Sequence, residues 1–83
     1  MIVYVIIISI EDRDEYTCDR TIGVSFTLDG AKKLITADVE KFGNSSKSVF
    51  MPQNLGYTVE QRQLENTDVD NYYFFDDCGK EVV

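Results

Sequence analysis

Apolar residues fill almost every position from Ile2 to Ile10 (IVYVIIISI) and then give way at once to EDRDE. The run is too short for a typical isolated helix and rich in β-branched residues, so it is read as a strand. Because it barely alternates, both of its faces must be covered, which places it inside a sheet. Ile2, Tyr4, Ile6, Ile8 and Ile10 fall on one side and Val3, Val5 and Ile7 on the other. Glu11 to Arg20 reads as a charged connection, joining this strand as an antiparallel hairpin to a second one over Thr21–Phe26. There Ile22, Val24 and Phe26 alternate with small residues, and the pattern predicts that they share one buried face.

The period then changes from two to about 3.6. Thr27 stands where a helix N-cap belongs, with Asp29 in the first turn near the positive end of the helix dipole. Gly30 occupies the position where a capping box would place Glu or Gln, at a propensity cost of about 1 kcal/mol relative to Ala. Leu28, Ala31, Ile35, Val39 and Phe42 recur at helical spacing, with Leu34 widening the stripe and Lys32, Lys33, Thr36, Glu40 and Lys41 opposite. The helix is expected to run from Leu28 to Phe42 and to stop at Gly43-Asn44, where positive φ is cheap.

Residues 43–48 read as loop, and Val49-Phe50-Met51 before Pro52 as an apolar cover within residues 44–56. Gly56 opens a half-exposed strand over Tyr57–Leu64, Asn66–Asn71 reads as a turn, and Tyr72–Phe75 as the returning strand. Asp76–Lys80 is a further turn signal, after which Glu81-Val82-Val83 either adds a short edge strand or frays. A right-handed crossover by the helix then gives an α+β fold of order ββαββ. Its mainly antiparallel four-stranded sheet has order 2-1-3-4, with the helix on one face, in a single domain over residues 1–83.

Three stretches carry a resemblance: Val3-Tyr4-Val5-Ile6, then Ile22-Gly23-Val24 with Thr27 and Ala31, then Tyr57-Thr58-Val59-Glu60 with Leu64. This VYVI…IGVxxTxxxA…YxVExxxL pattern resembles small uncharacterised bacterial and phage ββαββ proteins. The shared positions are core and cap positions, so the resemblance implies a fold and no activity. Its phage association points to an anti-defence, anti-CRISPR-like role. Leu28 and Gly30 depart from the acidic first helical turn usual in that group, and the Tyr72–Phe75 run has no counterpart there.

Composition narrows the chemistry. The chain has 83 residues and no histidine, which removes Ser-His and Cys-His nucleophile pairs and the usual His-containing zinc sites. Neither GxGxxG nor GxxxxGK[ST] occurs. The spacing after Asp68 fails the calcium-loop pattern, because Tyr73 and Gly79 stand where Gly and Glu are required. Carboxylate pairs such as Asp76-Asp77 leave a metal-dependent hydrolase as a remote alternative; the reading is a non-enzymatic protein with no cofactor and no metal. Cys18 and Cys78 belong to no CxxC pair and are read as free thiols in a reducing cytoplasm. The apolar opening lacks a basic n-region and is too short for a membrane span.

Fifteen acids against eight bases argue against nucleic acid or an anionic membrane as a direct ligand. The same balance suits a protein partner with a basic surface, carboxylates replacing phosphates and exposed tyrosines replacing bases. The candidate partner-binding residues are Glu11, Asp12, Asp14, Glu15 and Asp19 in the first connection, Asp68, Asp70, Tyr72 and Tyr73 around the second hairpin, and Asp76 and Asp77 in the last turn. The expected function is inhibition of a host nucleic-acid-processing or defence protein in the host cytoplasm. The alternative is a self-associating accessory module, a homodimer formed through Val3, Val5 and Ile7 on the second sheet face, with Ser25, Thr58 and Glu60 as its polar rim.

Overall fold

The strand and helix patterns resolve, in a computed structural model describing residues 1–11, 17–45, 53–66 and 68–82, into β1 (Ile2–Glu11), β2 (Thr17–Ser25), α1 (Leu28–Ser45), β3 (Gln53–Gln63), β4 (Val69–Phe75) and β5 (Glu81–Val82). The sheet is antiparallel with order β2-β1-β3-β4-β5, so its first four strands stand in the expected order and a short fifth strand extends the edge. The most apolar strand is flanked on both sides, as its unbroken run requires.

Ile6, Ile8 and Ile10 of β1, Tyr57 and Val59 of β3 and Phe75 of β4 form one buried layer beneath Ala31 and Ile35 of the helix. Leu28 and Val39 complete the helical stripe from its two ends, half-buried against that layer. The Tyr57 phenol donates a 2.7 Å hydrogen bond to the Asp38 carboxylate, a polar tie between sheet and helix at the margin of the core.

The helix starts as its residues dictate. Thr27 Oγ1 accepts from the Gly30 N–H at 3.0 Å, and the Thr27 carbonyl accepts from the Ala31 N–H at 3.1 Å. Ser25 Oγ adds a bond from the Thr27 N–H at 3.3 Å. A Cβ on residue 30 would stand 2.2 Å from Ser25 Oγ and 3.0 Å from Thr27 Oγ1. A side chain here would displace the Ser25 hydroxyl from the serine–threonine cap, an arrangement that glycine leaves undisturbed. At the other end the helix passes the expected stop at Gly43 and continues to Ser45, since α conformation costs glycine only about 1 kcal/mol.

Three differences from the sequence pattern share one cause, an extra residue in a strand. β2 begins at Thr17, not Thr21, so that Cys18, Asp19 and Arg20 are strand residues opposite Ile10, Ser9 and Ile8. Its register slips between Gly23, opposite Ile6, and Thr21, opposite Ile7, leaving Ile22 as a bulge. Ile22 packs against the core, Val24 lies opposite Val5 on the far face at 56% exposure, and Phe26 is 70% exposed beyond the strand end. The common face expected for Ile22, Val24 and Phe26 does not exist, because a bulge shifts the side-chain phase.

In β3 the expected opener, Gly56, pairs with Ser9, Leu55 is the extra residue between the partners of Ser9 and Ile10, and pairing continues back to Gln53 opposite Glu11. Residues 53–56 thus belong to the sheet and residues 44–45 to the helix backbone; Val49, Phe50 and Met51, expected as a cover, lie outside the described residues. In β4 the third slip falls at Asp70, and the strand starts at Val69 inside the stretch read as a turn.

Candidate functional site

The helix covers one face of the sheet, and α1 is the one helix among the described residues. On the opposite face the register sets out two rows of direct neighbours. One runs Val24, Val5, Glu60, Tyr72, and the next Thr21, Ile7, Thr58, Phe74, Val82. Val5 and Ile7 are half-buried and Val3, beside Arg62, is buried, so the residues assigned to self-association form the shielded centre. The exposed apolar positions are further out: Val24, Tyr72, Phe74 and Val82, at 56%, 49%, 54% and 53%. Tyr72 and Phe74 lie two apart on β4 with ring centroids 6.3 Å apart and planes within 14°, an offset stack on the outside of the molecule.

Polar groups punctuate this surface. Arg62 donates from Nε and Nη2 to Glu60 Oε1 at 3.1 and 3.0 Å, forming a partly shielded ion pair. Ser9 donates to Asp19 at 2.9 Å, so that acid serves the β1–β2 pairing. Thr58 and Glu60 occupy this face as expected. Ser25 does not: it lies opposite Tyr4, on the helix side, where it caps the helix entry. The expected polar rim is accordingly interrupted by Val24 and Val82 at the outer strands.

The candidate acidic residues do not converge. Glu11 ends β1, Asp19 lies opposite Ser9, and Asp76 and Asp77 follow β4, all toward one end of the sheet; Asp68 and Asp70 lie at the start of β4, toward the other. The seven residues of β4 separate these ends by about 20 Å at strand rise. Tyr72 and Tyr73 point to opposite faces; Tyr73 packs at 6.5 Å from Tyr4 on the helix side and donates to Gln61 at 2.9 Å. Asp12, Asp14 and Glu15 lie outside the described residues. A single row of carboxylates imitating one phosphate backbone is not what the described residues form.

Local roles account for several of these acids. Asp76 Oδ1 accepts from the backbone N–H of Cys78 at 2.9 Å and of Lys80 at 2.8 Å, while the Asp76 N–H donates to the Lys80 carbonyl at 2.8 Å. Asp76 is thus the residue that closes the β4–β5 turn. Asp70 Oδ2 accepts from Gln63 Nε2 at 2.7 Å across the neighbouring strand.

Donor atoms of Asp76, Asp77 and Cys78 come within 4.8 Å of one another, with Asp77 and Cys78 exposed. The arrangement has a chemical consequence for the thiol. The Asp77 carboxylate, followed by desolvation and Asp76, pushes Cys78 above the ordinary cysteine range, so the thiolate fraction at mildly alkaline pH is depressed. Asp77→Asn removes the largest of these causes and is expected to speed iodoacetamide alkylation of Cys78 at pH about 8 several-fold. Mass spectrometry of the Cys78 peptide checks this, and an unchanged rate would count against control by Asp77.

Charge is unevenly divided between the layers. The helix holds three acids, Asp29, Asp38 and Glu40, and three bases, Lys32, Lys33 and Lys41. Elsewhere, nine acids stand against Arg20, Arg62 and Lys80 among the described residues. The helix is neutral, and the excess negative charge belongs to the sheet and its turns. Sequence reading found the acids and the apolar Tyr72–Phe75 run but missed Val24 and Val82 as exposed apolar positions. Gly23 inside the strand pattern was the available signal for the bulge that exposes Val24.

No helix among the described residues is long and apolar enough to cross a membrane. No family model, curated protein or solved structure matches the chain.

Proposed function

We propose that this chain is a non-enzymatic interaction protein that binds a basic surface on a protein partner, and that its partner is a host nucleic-acid-processing or defence protein, which it inhibits. The observation that carries the reading is the division of charge: a neutral helix on one side and a strongly acidic sheet layer on the other. Such a layer repels nucleic acid and steers toward the basic channels that nucleic-acid enzymes present. Inhibition then follows from occupation of the channel, with no chemistry required of the inhibitor.

A second copy is the competing occupant, motivated by the exposed apolar rows. Charge favours the basic partner. Each copy carries a formal charge of −7, so self-association must overcome mutual repulsion, whereas a basic partner gains from the same charge.

The test is affinity capture from host lysate at low salt, followed by assay of the captured enzyme. Retention of a nuclease or other nucleic-acid enzyme, its release as salt rises, and loss of its activity in the presence of the chain are expected. Capture without any such enzyme, or an enzyme whose rate is unaffected, would overturn the reading.

A further inference from the structure

We infer that the helix-free sheet face is the docking surface, centred on the stacked Tyr72 and Phe74 rings, and that its occupant is an arginine-bearing segment of a protein partner. This rests on the functional reading above and specifies its site. Three observations converge on it. Tyr72 and Phe74 are about half exposed, with ring planes within 14° of parallel and centroids 6.3 Å apart, so their exposed surfaces are open to an incoming group. Val82 lies directly opposite Phe74 and extends this apolar group to the outer strand, while Val24, Val5 and Ile7 form a second apolar group on the same face beyond Thr58 and Glu60. The sheet and its turns carry the net negative charge, with Asp68 and Asp70 toward one end and Glu11, Asp19, Asp76 and Asp77 toward the other, while the helix's own charges balance.

Together these features define the chemistry of the occupant. A purely apolar partner would leave the acidic layer without compensation, and a nucleic acid would be repelled by it. A guanidinium meets both requirements: its plane stacks on an exposed aromatic ring while its charge is drawn to the acidic surroundings. Lysine supplies the charge without the planar stack, so arginine is the preferred residue. The acidic ends of the sheet then act mainly on encounter rate, and the aromatic pair on residence time.

The experiment is an NMR titration of the isotopically labelled full chain with an oligo-arginine peptide and, separately, an oligo-lysine peptide. Amide shifts are expected on β4 around Tyr72 and Phe74 and on the adjoining parts of β3 and β5, with arginine binding more tightly than lysine. Phe74→Ser and Tyr72→Ser should each weaken the arginine peptide about tenfold. Leu34→Ser, at an exposed apolar residue of α1 on the other side of the sheet, should leave binding unchanged, and spectral dispersion shows directly whether each variant is folded. Peptide binding that maps to the acidic turns alone and ignores Phe74→Ser overturns the docking site while leaving a basic partner in place. Failure of both peptides to bind overturns the site and the basic-partner reading together. Concentration-dependent shifts on this face without peptide would assign it to a second copy, against the inference.

Discussion

Replacing Gly56 with alanine is expected to destabilise the fold by roughly 2–4 kcal/mol, combining backbone strain with overpacking. Gly56 has φ 131°, a region that side-chain-bearing residues rarely adopt, and it is buried beside the β3 bulge at Leu55. A Cβ there would lie 2.7 Å from the Phe75 carbonyl oxygen, an atom of the β4 backbone that cannot rotate away. For a small domain with a total stability of roughly 5–10 kcal/mol, the change consumes a large fraction of it. Gly23→Ala is the control, since its nearest neighbour is the movable Leu34 side chain at 3.1 Å. Urea unfolding followed by circular dichroism measures both; a Gly56→Ala loss no larger than that of Gly23→Ala would mean that the bulge is not built as described.

The second large effect is expected at Ile6. It is fully buried at the centre of β1, between Gly23 of β2 and Val59 of β3 and under Ala31 and Ile35. Truncation to alanine removes its contacts with both sheet neighbours and helix, for a loss of about 3–4 kcal/mol. Phe26→Ala deletes a larger side chain, yet Phe26 is 70% exposed, so the expected change is within about 0.5 kcal/mol. The pair tests the bulge in β2, because an unbroken alternation would bury Phe26. Comparable losses at the two positions would restore that simpler phase and remove Val24 from the open face.

Much of this architecture is legible before folding is considered. The nearly continuous apolarity of Ile2–Ile10 demands cover on both faces, and it occupies the sheet interior. The helical stripe from Leu28 through Ala31, Ile35 and Val39 buries as its spacing requires, and Thr27 caps the helix that it precedes. The functional surface was less accessible. Acids such as Asp19, Asp70 and Asp76 were visible as charges, while their hydrogen-bond duties to Ser9, Gln63 and the β4–β5 turn depend on neighbours brought in by folding. Tyr72 and Tyr73 looked like a pair in the chain and stand on opposite faces, as adjacent strand residues must.

What the sequence by itself determined is therefore whatever depends on nearest neighbours: periodicity, the capping chemistry around Thr27, and the acidic balance of the chain. The strand order also followed, because connection handedness and the burial demand of β1 leave few arrangements. Only the tertiary structure decided the slips at Ile22, at Leu55 and at Asp70, since a bulge is a mismatch between two strands and its place is fixed by neither alone. Each slip re-aims the side chains beyond it. That re-aiming sends Ile22 into the core and Val24 outward, while pairing with β3 sets Tyr72 and Phe74 on the face opposite the helix.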